Sequence, residues 1–342
     1  VLYIGPELSE TLAENVQFQE ALMKDILKKF IGVGLLAWLA LAGAALAAPP
    51  QRFVVFGDSL SDPGNAFILT RDLEIPPFAS IIPDAPYARG AFHFSNGATW
   101  VEQLSILDHA VPSAGPALLV PPLFSNFAVG GARARAVGGF DLPTQVGLFL
   151  SDFHRQAPAD ALYIVFIGGN DVRDALEAFP TSPAAAFGIL NNAVTAIGSN
   201  LGTLQAAGAR RFLVASAPDV GLAPAVRLLG PGAQGLATFL SATFNAGLEA
   251  TLQGLEAALG VEIVRLDTFR FLNDVVANPD AFGLTDVTNT CIRVGTIANA
   301  FCPTPNRFLF WDGIHPTKAG HKLLAERANA ALNPSATVAT AP

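Results

Sequence analysis

The chain has 342 residues, 51% of them apolar and 14% charged, enough apolar material to bury a sizeable core and to place it among globular proteins. Its net charge is −8 with an isoelectric point near 5.1, and Lys and Arg form no cluster or stripe, which argues against a nucleic-acid partner.

Lys24, Lys28 and Lys29 precede an apolar run from Phe30 to Ala48 that ends Ala45-Leu46-Ala47-Ala48-Pro49-Pro50. Basic residues, an apolar stretch and a small-x-small site predict a secretory signal peptide over residues 23–47, cleaved after Ala47, with export to the periplasm or the medium. An uncleaved anchor is the alternative, because an apolar run of about 19 residues can span a bilayer. After cleavage no stable membrane span is expected. Met23 is the only methionine, so residues 1–22 read as a non-native upstream extension.

Residues 52–332 read as a single domain. Phe53-Val54-Val55-Phe56 is a run of β-branched and aromatic residues that breaks into Gly57-Asp58-Ser59-Leu60-Ser61-Asp62-Pro63-Gly64-Asn65, the pattern of a buried strand ending in a tight loop. A hydroxyl just past a strand of an open α/β sheet stands in the crevice where catalytic groups gather, so Ser59 is the candidate nucleophile; a capping role for Asp58 and Ser59 is the plainer reading. A short helix then runs to about Thr70. Residues 71–99, rich in Pro, Gly and Asp, predict a surface excursion near the site, and Phe67, Phe78, Phe92 and Phe94, in or near it, either form an apolar receiving surface beside the site or pack the loop onto the body.

The spacing predicts a helix over 99–107 with Trp100, Leu104 and Leu107 facing the core, and a strand near 124–129 ending at Gly130-Gly131. A bare N–H at Gly131 can face a reacting carbonyl; Arg133 and Arg135 after it read as solvated surface. Ala161–Ile167 is apolar on both faces and predicts a central parallel strand running into Gly168-Gly169-Asn170-Asp171. Helices are expected over 183–207 and 234–259, strands over 211–215 and 261–266, and a last helix from Pro316 to about Leu332 with His321 solvated or capping. Residues 333–342 read as a frayed tail. This alternation predicts a doubly wound three-layer α/β/α sandwich around a central, mainly parallel sheet.

In an exported chain Cys291 and Cys302, eleven apart, predict a disulfide near the loop that carries Asp312 and His315. Three residues across a turn entering a helix can bring the Asp312 carboxylate to Nδ1 of His315, leaving Nε2 for Ser59. His93, His109 and His154 sit at no comparable junction. No G-x-S-x-G elbow, H-E-x-x-H or P-loop occurs, which disfavours an α/β-hydrolase, a zinc hydrolase and an NTPase.

Four blocks in order, Gly57-Asp58-Ser59-Leu60-Ser61-Asp62, Asn126-Phe-Ala-Val-Gly-Gly131, Gly168-Gly-Asn170-Asp171 and Trp311-Asp312-Gly-Ile-His315-Pro316-Thr317, resemble those of the SGNH (GDSL-type) hydrolases. Ser216-Ala-Pro218-Asp219-Val-Gly221 is similar to a further stretch of that family. The resemblance implies Ser59 as nucleophile, His315 as base, Asp312 as the orienting carboxylate, and the Ser59 N–H, the Gly131 N–H and the Asn170 amide as an oxyanion hole, with no metal or organic cofactor. It implies a monomeric, secreted esterase or lipase working through an acyl-Ser59 intermediate, with lipid esters favoured. An acyltransferase to an alcohol acceptor and a carbohydrate acetylesterase remain open. A noncatalytic binding module would require a lost triad member, and none is lost.

Overall fold

The computed structural model describes residues 52–70, 92–293 and 301–334. The expected signal peptide and upstream extension, residues 71–91 of the excursion with Phe78, and 335–342 of the tail lie outside the described residues.

Four strands, β1 (Phe53–Gly57), β2 (Leu162–Phe166), β3 (Arg211–Ala215) and β4 (Glu262–Leu266), form a parallel sheet in the order β1-β2-β3-β4. The helices in chain order are α1 (Asn65–Thr70), α2 (Trp100–Leu107), α3 (Leu142–Asp152), α4 (Gly169–Ala178), α5 (Pro183–Ala206), α6 (Pro224–Arg227), α7 (Pro231–Leu259), α8 (Thr268–Ala277) and α9 (Lys318–Leu332). The mixed α/β fold with a parallel sheet between helices is thus as expected.

The strand expected over 124–129 forms only an irregular edge on β1. Val55 N–H donates to Ser125 O at 2.9 Å and Phe127 N–H to Val55 O at 2.7 Å. Val129 N–H donates on to Gly57 O at 3.2 Å, but the Gly57 N–H, which a regular ladder would send to Phe127 O, goes to Gln145 Oε1 at 2.9 Å, and the Ala128 N–H on the outer side bonds Asn126 Oδ1 at 3.0 Å. Counting this edge, the chain builds first to one side of β1 and then to the other through β2. The crevice at the carboxyl ends of β1 and β2 is therefore the topological switch point, where open α/β sheets hold ligands.

Alternate strand residues face opposite layers. Val54, Phe56, Tyr163, Val165, Phe212 and Val214 bury against α3, α5 and α7, while Phe53, Val55, Leu162, Ile164 and Leu213 bury against α2 and α9. Each such large side chain contributes about 1.5–3 kcal/mol relative to exposure. α2 opens on a capping box in which Thr99 and Glu102 satisfy each other's backbone N–H. Its Trp100 and Leu104 are fully buried, but Leu107, expected in the core, is exposed because the helix ends there. α9 starts at Lys318, not Pro316, since the Thr317 hydroxyl caps it by accepting the Gly320 N–H at 3.1 Å.

A second, two-stranded parallel sheet pairs β5 (Asp286–Thr290) with β6 (Phe308–Phe310). The Cys291–Cys302 disulfide forms beside it. The Cys291 and Ile292 N–H groups donate to Phe310 O and Trp311 O at 3.0 and 2.9 Å, so the cross-linked segment holds the backbone that leads into Asp312.

Candidate active site

β1 ends at Gly57, where a Cβ would stand 2.6 Å from the Phe166 carbonyl, too close for any side chain. Gln145 of α3 takes over both backbone groups of Gly57, accepting its N–H at 2.9 Å and donating to its carbonyl at 2.8 Å. The chain then turns sharply: Asp58 accepts the Leu60 N–H on Oδ1 and the Ser61 N–H on its carbonyl, both at 3.0 Å. Ser59 is left half-buried at the apex of this turn.

The Ser59 hydroxyl lies 2.8 Å from His315 Nε2, and His315 Nδ1 lies 2.7 Å from Asp312 Oδ2. Asp312 Oδ1 also accepts the Ile314 and His315 N–H groups at 2.9 and 2.7 Å, so the turn that presents the histidine is wound around the carboxylate itself. Burial pushes the Asp312 carboxyl up, but the charge of His315 and these hydrogen bonds outweigh it and hold the group below the usual carboxylate range. A carboxylate on Nδ1 fixes the tautomer in which Nε2 accepts the Ser59 proton.

Asn170 begins α4, directly after β2, and its amide donates to Ala132 O at 2.9 Å. That bond uses one of the two amide hydrogens. Gly131 has φ +79°, a left-handed conformation that suits glycine, and open space where a Cβ would stand. Among the described residues neither the Ser59 N–H nor the Gly131 N–H has a hydrogen-bond partner. Asp62 ties the two loops together: it caps α1 by accepting the Gly64, Asn65 and Ala66 N–H groups and reaches across to the Gly130 N–H at 2.8 Å. Ser59, Asn170 and His315 line one cavity of about 690 Å³; Gly131 is not among its lining residues.

The family model described as GDSL-like lipase/acylhydrolase matches residues 53–328. The chain belongs to this family. A protein of Pseudomonas putida described as uncharacterized, in the trpE-trpG intergenic region, is 30% identical over 334 residues, covering 87% of this chain and 52% of that protein, so the chain spans about half the length of that relative. A GDSL esterase/lipase of Arabidopsis thaliana is 28% identical over 346 residues, covering 83% of this chain and 89% of that protein. Among solved structures, a catalytic mutant of an acetylxylan esterase from Geobacillus stearothermophilus is 16% identical, covers 82% of this chain and 93% of that one, and superposes with a TM-score of 0.45. Membership in the GDSL family carries serine-hydrolase chemistry with it.

In this GDSL hydrolase several residues behave otherwise than the sequence led us to expect. Arg133 and Arg135 are not solvated surface. Arg133 makes a bidentate pair with Asp174, both contacts at 2.9 Å, and Arg135 pairs with Asp171 at 3.0 Å and with Asp174. Asp171 and Asp174 sit one turn apart on α4 and draw both guanidiniums onto it, clamping the Gly131 loop against the helix that carries Asn170. His321 is buried, not solvated, and of the two readings capping is the one that holds: its Nδ1 accepts the N–H of Trp100, the first residue of α2, at 3.3 Å, and burial followed by the charges of His315 and His93 pushes its pKa down to about 3. Burial likewise raises Asp58 and Asp171 to about 6 against the hydrogen bonds and charges that oppose it.

Among the described residues, Phe67 of α1 and Phe92 and Phe94 pack against the body. Phe67 and Phe92 stack at 3.7 Å, and the Phe94 ring lies 5.2 Å from the His315 ring, bracing it. The apolar lining of the cavity comes instead from Leu176, Val220, Val226, Leu236 and Ile314. Gln145 and Asp174 had no place in the sequence reading, though a glutamine among the buried Leu142, Val146 and Phe149 of α3 is a legible signal of a polar group with a buried partner. Among the described residues no group of three or more His, Cys, Asp or Glu side chains has the arrangement of a metal site.

Proposed function

We propose that this GDSL hydrolase cleaves carboxylic esters of lipids through an acyl-Ser59 intermediate. The observation that carries the reading is the unbroken chain of hydrogen bonds from Asp312 through His315 to Ser59. His315 Nε2 takes the Ser59 proton as Oγ attacks the ester carbonyl carbon. The oxyanion is held by the Ser59 and Gly131 N–H groups and the second hydrogen of the Asn170 amide. Collapse expels the alkoxide, which leaves with the proton from His315; water, deprotonated by the same nitrogen, then releases the carboxylic acid and restores Ser59.

The choice of lipid rests on the cavity, whose volume of about 690 Å³ and mainly apolar lining suit an acyl chain. Residues 52–332 would form the catalytic domain, monomeric and exported after cleavage behind Ala47. The test is a chain-length series of p-nitrophenyl esters, acetyl to palmitoyl, on the wild type and Ser59→Ala. Ser59-dependent turnover with a maximum at medium or long chains is expected. A maximum at acetyl would move the substrate to small acylated compounds, and equal turnover by Ser59→Ala would remove Ser59 from the mechanism.

A further inference from the structure

The largest exposed apolar side chains on the α5 and α7 side of the sheet gather around the cavity mouth. Leu228 is 88% exposed, Leu229 68%, Phe239 50% and Phe187 40%. Leu229 also lines the cavity, as do Ala233 and Leu236, the latter one turn before Phe239 on α7. Cavity-lining Pro180 follows Phe179, whose ring meets Phe187 edge-on at 6.0 Å, and Phe187 meets Phe239 edge-on at 6.3 Å. The mouth is thus continuous with an apolar strip formed by the α4–α5 turn, the first turns of α5 around Phe187 and the start of α7; farther along α5 the exposed positions are polar, Asn191, Asn192, Thr195 and Ser199.

Apart from Arg173 and Glu177, which line the cavity beside it, this band carries little charge. No Asp, Glu, Lys, Arg or His lies between Glu177 and Arg210, and between Asp219 and Glu249 the only one is Arg227, in a chain of net charge −8. Soluble surfaces seldom leave so contiguous an apolar patch bare. An uncharged or zwitterionic surface matches this face, and its occupant has to leave the mouth open. A second copy of the chain or another protein seated there would close the mouth to substrate; a fluid lipid phase would supply it.

We propose that this face, centred on Leu228 and Phe239, seats on the surface of zwitterionic lipid, so that an acyl chain passes from the lipid phase to Ser59 without crossing water. The proposal rests on the lipid-ester reading above, but its test separates the two. A nitrobenzoxadiazole dye is attached to the full chain at Leu228→Cys or, on the opposite layer, at Lys322→Cys; the native cysteines are joined to each other and do not react. On phosphatidylcholine vesicles the dye at position 228 should brighten at least threefold and be quenched by brominated phosphatidylcholine, while the dye at position 322 should change little. In parallel, the double variant Leu228→Glu/Phe239→Glu should keep p-nitrophenyl butyrate turnover in solution within twofold of wild type and lose at least tenfold on a long-chain ester presented in those vesicles. An unresponsive dye at 228, or one already buried in a concentration-dependent dimer before lipid is added, would overturn the proposal, as would equal vesicle activity in the double variant. Failure of the wild type to hydrolyse butyrate would instead strike the esterase reading, and the dye would still report on docking.

Discussion

Replacing Asn170 by alanine separates catalysis from architecture at one side chain. The Asn170 amide has two hydrogens; one is spent on Ala132 O at 2.9 Å and the other is available to a developing oxyanion. Loss of a single oxyanion donor costs about 10²- to 10³-fold in kcat, or about 2.7–4 kcal/mol of transition-state stabilisation. Loss of the Ala132 tie is a separate, structural effect of about 1–3 kcal/mol, because it leaves a buried carbonyl without its donor. In a chain of this size that lowers Tm by a few degrees, and both Asp62 and the Arg133–Asp174 pair still hold the loop. Steady-state kinetics on p-nitrophenyl butyrate, run well below the Tm of the variant, should therefore show kcat reduced 10²- to 10³-fold with KM changed by less than about threefold. A kcat loss under tenfold, or a loss carried by KM, would refute the oxyanion role.

Three further outcomes are expected. The folded pKa of His321, about 3, lies below the ordinary 6.5, so its contribution to stability is complete above pH 6.5 and is lost as pH falls from 6.5 toward 3. Between pH 6.5 and 5 the loss amounts to about 2 kcal/mol; His321→Gln, which keeps an acceptor for the Trp100 N–H and cannot take up a proton, should flatten that limb of a urea-denaturation series, and an unchanged pH slope would count against the assignment. Reducing Cys291–Cys302 should lower stability by on the order of 3 kcal/mol in the chain-entropy model and depress kcat, since the Cys291 and Ile292 N–H groups steady Phe310 and Trp311 ahead of Asp312; an unaltered Tm after dithiothreitol would contradict this. Asp174→Ala releases Arg133 and leaves Arg135 with Asp171 alone, and should cut kcat by about tenfold to a hundredfold through misplacement of Gly131, whereas activity within twofold of wild type would show that the ties to Asp62 and Asp171 suffice.

What the sequence made legible follows from how local each signal is. The four sheet strands are short apolar runs punctuated by Gly, Asn and Asp, and the Asp312–His315 turn packs its whole geometry into four residues, so both could be read without knowledge of the fold. The 124–129 edge was legible as extended chain but not as an incomplete ladder, because the Gly57 N–H that would complete it is taken by Gln145, 88 residues along the chain. The burial of Arg133, Arg135 and His321 was missed for one reason: each owes it to a partner more than thirty residues away, Asp171 and Asp174 for the arginines and Trp100 for the histidine. Of the two readings offered for the phenylalanines near Ser59, packing onto the body holds for Phe67, Phe92 and Phe94, while β-strand crossovers bring Val220, Val226 and Leu236 to the cavity.

The central claim is that Ser59, with its proton on loan to His315, is the group that attacks the ester. Labelling with an alkyl fluorophosphonate, followed by intact-mass and peptide mass spectrometry, reads this directly. The account predicts one adduct per chain, located on Ser59, formed in step with loss of esterase activity and abolished in His315→Ala. An adduct on another residue, or full activity after Ser59 is modified, would contradict it.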